Sequence, residues 1–170
     1  VLSEAIWSFD ISGADSITKV TIDIAAMGDF EASSSDGFKI EAQIDGGGYS
    51  TIFLASTDEA ASKTYRALDD GNAYSENDPL ELFIDGSGTA IGFLDKCEPA
   101  TGNFDTYTST LLNGESGSTL DIRLSWGGSP SGGEPMGIDN ISVFGILATP
   151  ESVLADIVFN EVLPDPNSSG

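Results

Sequence analysis

The sequence predicts an all-β fold, a two-sheet antiparallel β-sandwich of the jelly-roll type, and three observations carry that prediction. Apolar residues recur at every second position, clusters of Gly, Asn, Asp, Ser and Pro separate these runs at short intervals, and no stretch convincingly keeps the spacing of an amphipathic helix. Short strands with antiparallel alternation bury one face each, and two such sheets stacked through their apolar faces form one core.

The elements follow in order. "AIWSFDI" opens the fold, with Trp7 in phase with Phe9 and Ile11 and so expected in the core. "KVTIDIAAM" sets Val20, Ile22 and Ile24 against Thr21 and Asp23, and "FKIEAQID" sets Phe38, Ile40, Ala42 and Ile44 against Lys39, Glu41 and Gln43. The second of these meets "YSTIFLAS" across Asp45-Gly46-Gly47-Gly48, residues that accept positive φ and so predict a β-hairpin. "TYRAL", "PLELFID", "TAIGFL", "FDTYTSTLL", "TLDIRLSW" and "MGIDNISVFGIL" complete about ten strands. Only "STDEAASKTYRALDD" has room for a helical turn. The sandwich is expected over residues 1–147. "ATPESVLA", residues 148–155, has the composition of a linker, and residues 156–170 begin a further module.

Composition narrows the chemistry. The 170 residues include 28 Asp and Glu against 6 Lys and Arg, a formal charge of -22. Such a surface repels phosphate backbones, so nucleic acid is not expected as a direct partner. The absence of histidine removes Ser-His-Asp and Cys-His catalysis, histidine zinc sites and any histidine base, leaving carboxylate and hard-metal chemistry. The single cysteine, Cys97, has no partner for an internal disulfide. No apolar run approaches the roughly 18 residues of a membrane span. The glycines sit in hairpins and lack the Lys-Ser/Thr sequel of a phosphate loop.

One stretch breaks the alternation. In "GEPMGIDNISVFG", Ile138 falls on one face while Ile141 and Val143 fall on the other, with Asp139 and Asn140 between them. Either both faces are buried, or an extra residue shifts the register there. A buried carboxylate is costly without a cation or a full set of hydrogen bonds, and basic side chains are scarce, so a bound metal is an economical solution. Calcium fits a donor set of carboxylates, carbonyls and water.

"DGFKIEAQIDGGGYSTIF", followed downstream by "GSTLDIRLSW" and "GEPMGIDNISVFG", resembles a jelly-roll accessory module of large secreted bacterial proteins, and the closing strand resembles the end of MAM-type adhesion domains. "DIVFNEVLPDPNSSG" resembles the opening of a lamin-tail domain. The resemblance implies a secreted or cell-surface location and neighbouring domains in the same chain. It also implies a Ca²⁺ ion held between "GDFEASSSDGF" and "GEPMGIDN", with Glu31, Asp36 and Asp139 as ligands and Asp29 and Glu134 as secondary candidates. The alternative is that these carboxylates cap loops by accepting backbone N–H groups. "LDDGNAYSENDPLE", with Asp69, Asp70, Glu76 and Asp78, lacks EF-hand spacing and reads as a solvated loop.

A sugar-binding surface needs an exposed aromatic face beside directed polar groups. Trp126 ends a strand in phase with Leu120, Ile122 and Leu124, as core lid or as ligand platform. Tyr74 in a polar loop and Tyr107, opposite in parity to the flanking threonines, are the other platform candidates. The expected function is therefore a non-catalytic, calcium-stabilised module that binds a polysaccharide or cell-surface glycan, or that attaches and spaces neighbouring domains. Two alternatives remain. One is an accessory domain of an extracellular nuclease or phosphatase, and the other is a small glycosidase using a pair such as Glu41 and Glu81.

Overall fold

The structure, a computed structural model, describes residues 3–66, 71–94, 104–128, 134 and 136–148. Cys97, Asp69, Asp70, the linker beyond Ala148 and residues 156–170 lie outside the described residues. The described chain is all-β. Its strands are β1 (Ser3–Asp10), β2 (Ala14–Ala26), β3 (Gly37–Ile44), β4 (Ser50–Thr57), β5 (Ser62–Arg66), β6 (Ala73–Asn77), β7 (Leu80–Ile84), β8 (Gly92–Phe93), β9 (Asp105–Ser109), β10 (Thr119–Gly127) and β11 (Met136–Leu147). Between β2 and β3 lies a single 3₁₀ turn at Ala32–Ser34.

A six-stranded sheet runs β1-β10-β3-β4-β7-β8 and a three-stranded sheet runs β11-β2-β9, with antiparallel pairing throughout; β5 and β6 form a separate hairpin. The alternation fixes which side chains meet. Ile40, Phe53, Leu82, Leu120, Ile122 and Leu124 of the larger sheet and Val20, Ile22 and Ile24 of the smaller one join a single buried cluster. The strand order mixes non-consecutive neighbours, β1-β10-β3 and β11-β2-β9, with consecutive hairpins β3-β4 and β7-β8.

Two corrections concern the middle of the chain. The segment with room for a helical turn instead supplies β5, and part of the expected solvated loop forms β6, so that Tyr74 stands on a strand opposite the buried Tyr65. β6 is almost wholly exposed and carries no apolar alternation, and its pairing with β5 is what makes it a strand. The turn after it, with Asp78 in the left-handed region at φ 51, brings the Asp78 carbonyl to the Phe30 N–H at 3.2 Å.

The hairpins carry Asp-Gly type I′ turns. Asp45 and Gly46 have φ of 49 and 71, closed by Gly47 N–H donating to the Ile44 carbonyl at 2.9 Å. Asp85 and Gly86, at 57 and 68, repeat the device before Ser87. Each turn aspartate then ties in a distant strand. Asp45 accepts the N–H groups of Ser118 and Thr119, at the start of β10. Asp85 accepts the hydroxyl of the buried Ser109 and the N–H of Thr110, at the end of β9.

Replacing Asp85 with Ala removes these acceptors, strands the Ser109 hydroxyl and leaves, at φ 57, a residue without the short polar side chain that lets Asp and Asn adopt left-handed backbone. A loss of about 1–3 kcal/mol in urea unfolding is expected. Asp85→Asn, which keeps an acceptor and tolerates positive φ, loses less. Adding Ser109→Ala to Asp85→Ala recovers part of the loss, because the orphaned hydroxyl disappears.

Candidate metal centre

The loop between β2 and β3 is pinned before it turns. Phe30 is fully buried. Beyond it the chain closes on itself: Asp36 N–H donates to the Glu31 carbonyl at 3.2 Å, and Glu31 N–H donates to Asp36 Oδ2 at 3.1 Å. Ser35 between them adopts a left-handed conformation at φ 60, its N–H donating to the Ala32 carbonyl at 3.0 Å. The backbone of Asp36 is held from the other side by the Thr57 hydroxyl, which donates to its carbonyl at 3.2 Å.

Strand pairing brings in the remaining parts. Met136 of β11 stands opposite Ala26, the last residue of β2, so the residues just before β11 arrive beside the loop that follows β2. Glu134 is carried there and buried. One carboxylate oxygen each from Glu31, Asp36 and Glu134 lie within 4.8 Å of one another. From the third direction β10 ends at Gly127, opposite Gly37. A β-carbon on Gly127 would stand 2.4 Å from the Ser35 carbonyl oxygen, and one on Gly128 would stand 1.8 Å from Asp36 Oδ1. Only glycine permits that approach, and at Gly128 the φ of 78 also favours it.

The electrostatics of Asp36 and Glu31 are those of closely grouped like charges. Asp36 is 5% exposed, and its Oδ1 is buried with no hydrogen-bond partner. Among the described residues no basic side chain contacts Glu31 or Asp36. Glu31 is held above the ordinary glutamate range, first by desolvation, then by the charge of Glu134, its hydrogen bond with Asp36, and the charges of Asp36 and Asp29. Glu41 shows the opposite case. It is also buried, and burial pushes its pKa up, but Lys39 at 2.8 Å and Arg123 at 2.6 Å outweigh that and hold it below the ordinary range.

The donor set suits a hard cation. Three carboxylates supply about three to six oxygens depending on denticity, and calcium accepts water or carbonyls for the rest. A buried carboxylate with one orphaned oxygen, packed against Gly128 and grouped with two further carboxylates, is an arrangement that a cation satisfies and a hydrogen bond does not.

Asp29 is exposed and takes part through its charge on Glu31. Asp139 stands outside the three-carboxylate group. It pairs with Asp23, and the next ladder pair is Ser142 with Thr21, so β11 spends three residues where β2 spends two. The break in alternation is therefore a β-bulge, with Asn140 in the left-handed region at φ 48. Asp139 satisfies one oxygen locally by accepting the Asn140 N–H at 2.8 Å, and Asn140 Nδ2 donates to Asp23 Oδ2 at 2.7 Å. Asp139, expected as a ligand, is thus exposed and apart from the three grouped carboxylates.

The platform candidates separate as well. Trp126 is half-buried against the core as a lid, Tyr107 faces the core opposite Ile22, and only Tyr74 is exposed. Tyr107 was expected outward, but it is the threonine face of β9 that meets solvent. Sequence reasoning passed over Gly127 and Gly128, whose only signal was the Gly-Gly pair ending β10, and it ranked Glu134 below Asp139. Glu41 and Glu81 pair with Thr51 and Ser56 of β4, five residues apart, or roughly 16 Å along the strand. That exceeds the spacing of about 5–10 Å that a glycosidase pair requires.

Comparison of the chain with protein families, with curated proteins and with solved structures finds no match.

The two perturbed glutamates predict opposite pH behaviour in chelator. A raised pKa stabilises the fold below the ordinary glutamate value of about 4.3 and loses that contribution as pH rises through the raised value. Glu31→Gln should therefore melt above the parent at pH 7, with the gap closing as pH falls toward 4. A depressed pKa contributes above the ordinary value and is lost on acidification. Glu41→Gln should accordingly melt below the parent at pH 7, by about 1–3 kcal/mol because its cationic partners keep partial solvation, with that gap also closing in acid.

Proposed function

We propose that this chain is a non-catalytic, calcium-stabilised β-sandwich module of a secreted multidomain protein, and that it binds carbohydrate or attaches neighbouring domains. The single observation that carries the metal part of the reading is the buried carboxylate of Asp36, whose Oδ1 lacks a hydrogen-bond partner, grouped with the carboxylates of Glu31 and Glu134. In this reading Asp36 and Glu134 are the buried ligands and Glu31 closes the site from the solvent side. The ion ties the β2–β3 loop, the end of β10 and the entry to β11 together, a role that an internal disulfide cannot fill with one cysteine.

Calcium is favoured over magnesium because the ligands come from a loop and a strand entry, and calcium tolerates irregular coordination whereas magnesium demands near-ideal octahedral geometry. An open three-carboxylate site of this kind suits the high calcium levels outside cells. Support for secretion and for the neighbouring domains comes from the sequence resemblances to secreted bacterial modules, MAM-type domains and the lamin-tail opening at 156–170. The acidic surface fits the same setting, since it stays soluble and is screened over roughly 8 Å at 0.15 M salt.

Thermal unfolding with and without the ion tests the reading. Calcium at 100 times its dissociation constant adds about 2.7 kcal/mol, so the melting temperature should rise with Ca²⁺, fall back with chelator and respond less to Mg²⁺. Asp36→Asn and Glu134→Gln should each abolish the response, and Gly128→Ala should abolish it by driving a β-carbon into Asp36 Oδ1. Identical melting curves for the parent in Ca²⁺ and in chelator would remove the metal from the reading.

A further inference from the structure

The loop between β9 and β10 is held down by one buried side chain and a short series of hydrogen bonds. Leu112 is buried and belongs to the core cluster. Around it the chain turns tightly: Asn113 N–H donates to the Thr110 carbonyl at 2.9 Å, and Glu115 N–H donates to the Leu112 carbonyl at 3.0 Å. The far side of the turn pairs with β2. Gly114 N–H donates to the Ile17 carbonyl at 2.9 Å, and Ile17 N–H donates to the Glu115 carbonyl at 2.7 Å. The near side hangs from Asp85, which accepts the Thr110 N–H at 3.0 Å.

This docked turn holds the one Asn-Gly step in the chain, Asn113-Gly114, and both residues are exposed. Glycine has no side chain to obstruct its own nitrogen, so in an open chain the Gly114 amide, once deprotonated by solvent base, attacks the Asn113 carboxamide. A bond forms from the Gly114 nitrogen to Asn113 Cγ, the Cγ–Nδ2 bond breaks, and ammonia leaves with a proton from water. Water then opens the cyclic imide. Attack at Cγ gives aspartate with the original chain path, and attack at the main-chain carbonyl carbon gives isoaspartate, whose main chain runs through Cβ and Cγ. Water and base are the only co-reactants. The first step needs a deprotonated amide, as hydrogen exchange does, and an amide engaged in a protein hydrogen bond meets that need only when the structure opens locally.

We propose that Asn113 is a deamidation site gated by the β9–β10 loop, in which conversion proceeds through openings that break the Gly114–Ile17 hydrogen bond. The isoaspartate product then hinders re-docking. Its extra main-chain carbon falls between Leu112, anchored in the core, and Gly114 and Glu115, which must both meet Ile17. The aspartate product keeps its chain length and docks again. Asn140, also exposed, is followed by Ile141, whose stiff β-branched side chain obstructs the same attack.

Incubation of the whole chain at pH 8, in buffer and in unfolding urea, tests this when followed by peptide mass mapping that separates aspartate from isoaspartate. Asn113 should convert about tenfold or more faster in urea than in buffer, with Asn140 lagging behind it in both. In buffer, Asp85→Ala, which releases Thr110 and with it the near side of the turn, should speed the conversion. The chromatographically separated isoaspartate form should melt below the parent, whereas Asn113→Asp should melt close to it. Equal rates in buffer and in urea overturn the gate, and no conversion in urea overturns the site. An isoaspartate form that melts with Asn113→Asp overturns the effect on docking.

Discussion

A carboxylate inside this fold rarely finds a cation, because 28 acidic side chains share 6 basic ones, and the arrangement of the acidic residues follows from that shortage. Burying an unpaired carboxylate costs several kcal/mol, so each must find other donors or a metal. Lys39 and Arg123 both serve Glu41. Lys19 and Lys63 stand over the rings of Phe144 and Tyr65. Elsewhere the donors are neutral: backbone N–H groups for Asp45 and Asp85, and Ser8 and Gln43 for Asp121, whose pKa they depress. After these matches Asp36 Oδ1 still lacks a donor, and its carboxylate is grouped with two more, those of Glu31 and Glu134.

The sandwich makes that gathering unavoidable. Antiparallel pairing of β2 with β11 sets the residues before β11 beside those after β2, and pairing of β10 with β3 sets Gly127 beside Gly37. Three segments distant in sequence thus converge at one end of the two sheets. The glycines let the backbones approach closely enough to bury Asp36, and the buried Phe30 holds the loop in place. Without a cation the same convergence concentrates negative charge, which is why Glu31 resists ionisation. A metal would turn the least favourable part of the metal-free fold into a fastening.

Much of this was legible before any coordinates. Alternation located β2, β3 and β10, Asp45-Gly46 announced its hairpin, and the parity break at Asp139 and Asn140 announced the bulge. Glu31 and Asp36 were named as ligands and do converge. The failures have a common physical cause: the deciding partner was remote. Asp139 looked in need of a metal because its local solution, the N–H of Asn140 freed by the bulge, is invisible until the backbone bends. Glu134 looked secondary because its approach depends on the register of β11 against β2. Trp7 looked buried because parity says which way a side chain points, whereas strand order decides whether anything covers it.

The most direct measurement is calcium binding itself, by equilibrium dialysis of the parent and of Asp36→Asn at pH 7. The parent should take up about one ion per chain, and Asp36→Asn should take up none above the weak background of its acidic surface. Saturable binding that persists undiminished in Asp36→Asn, or a parent that binds no ion, would contradict the account.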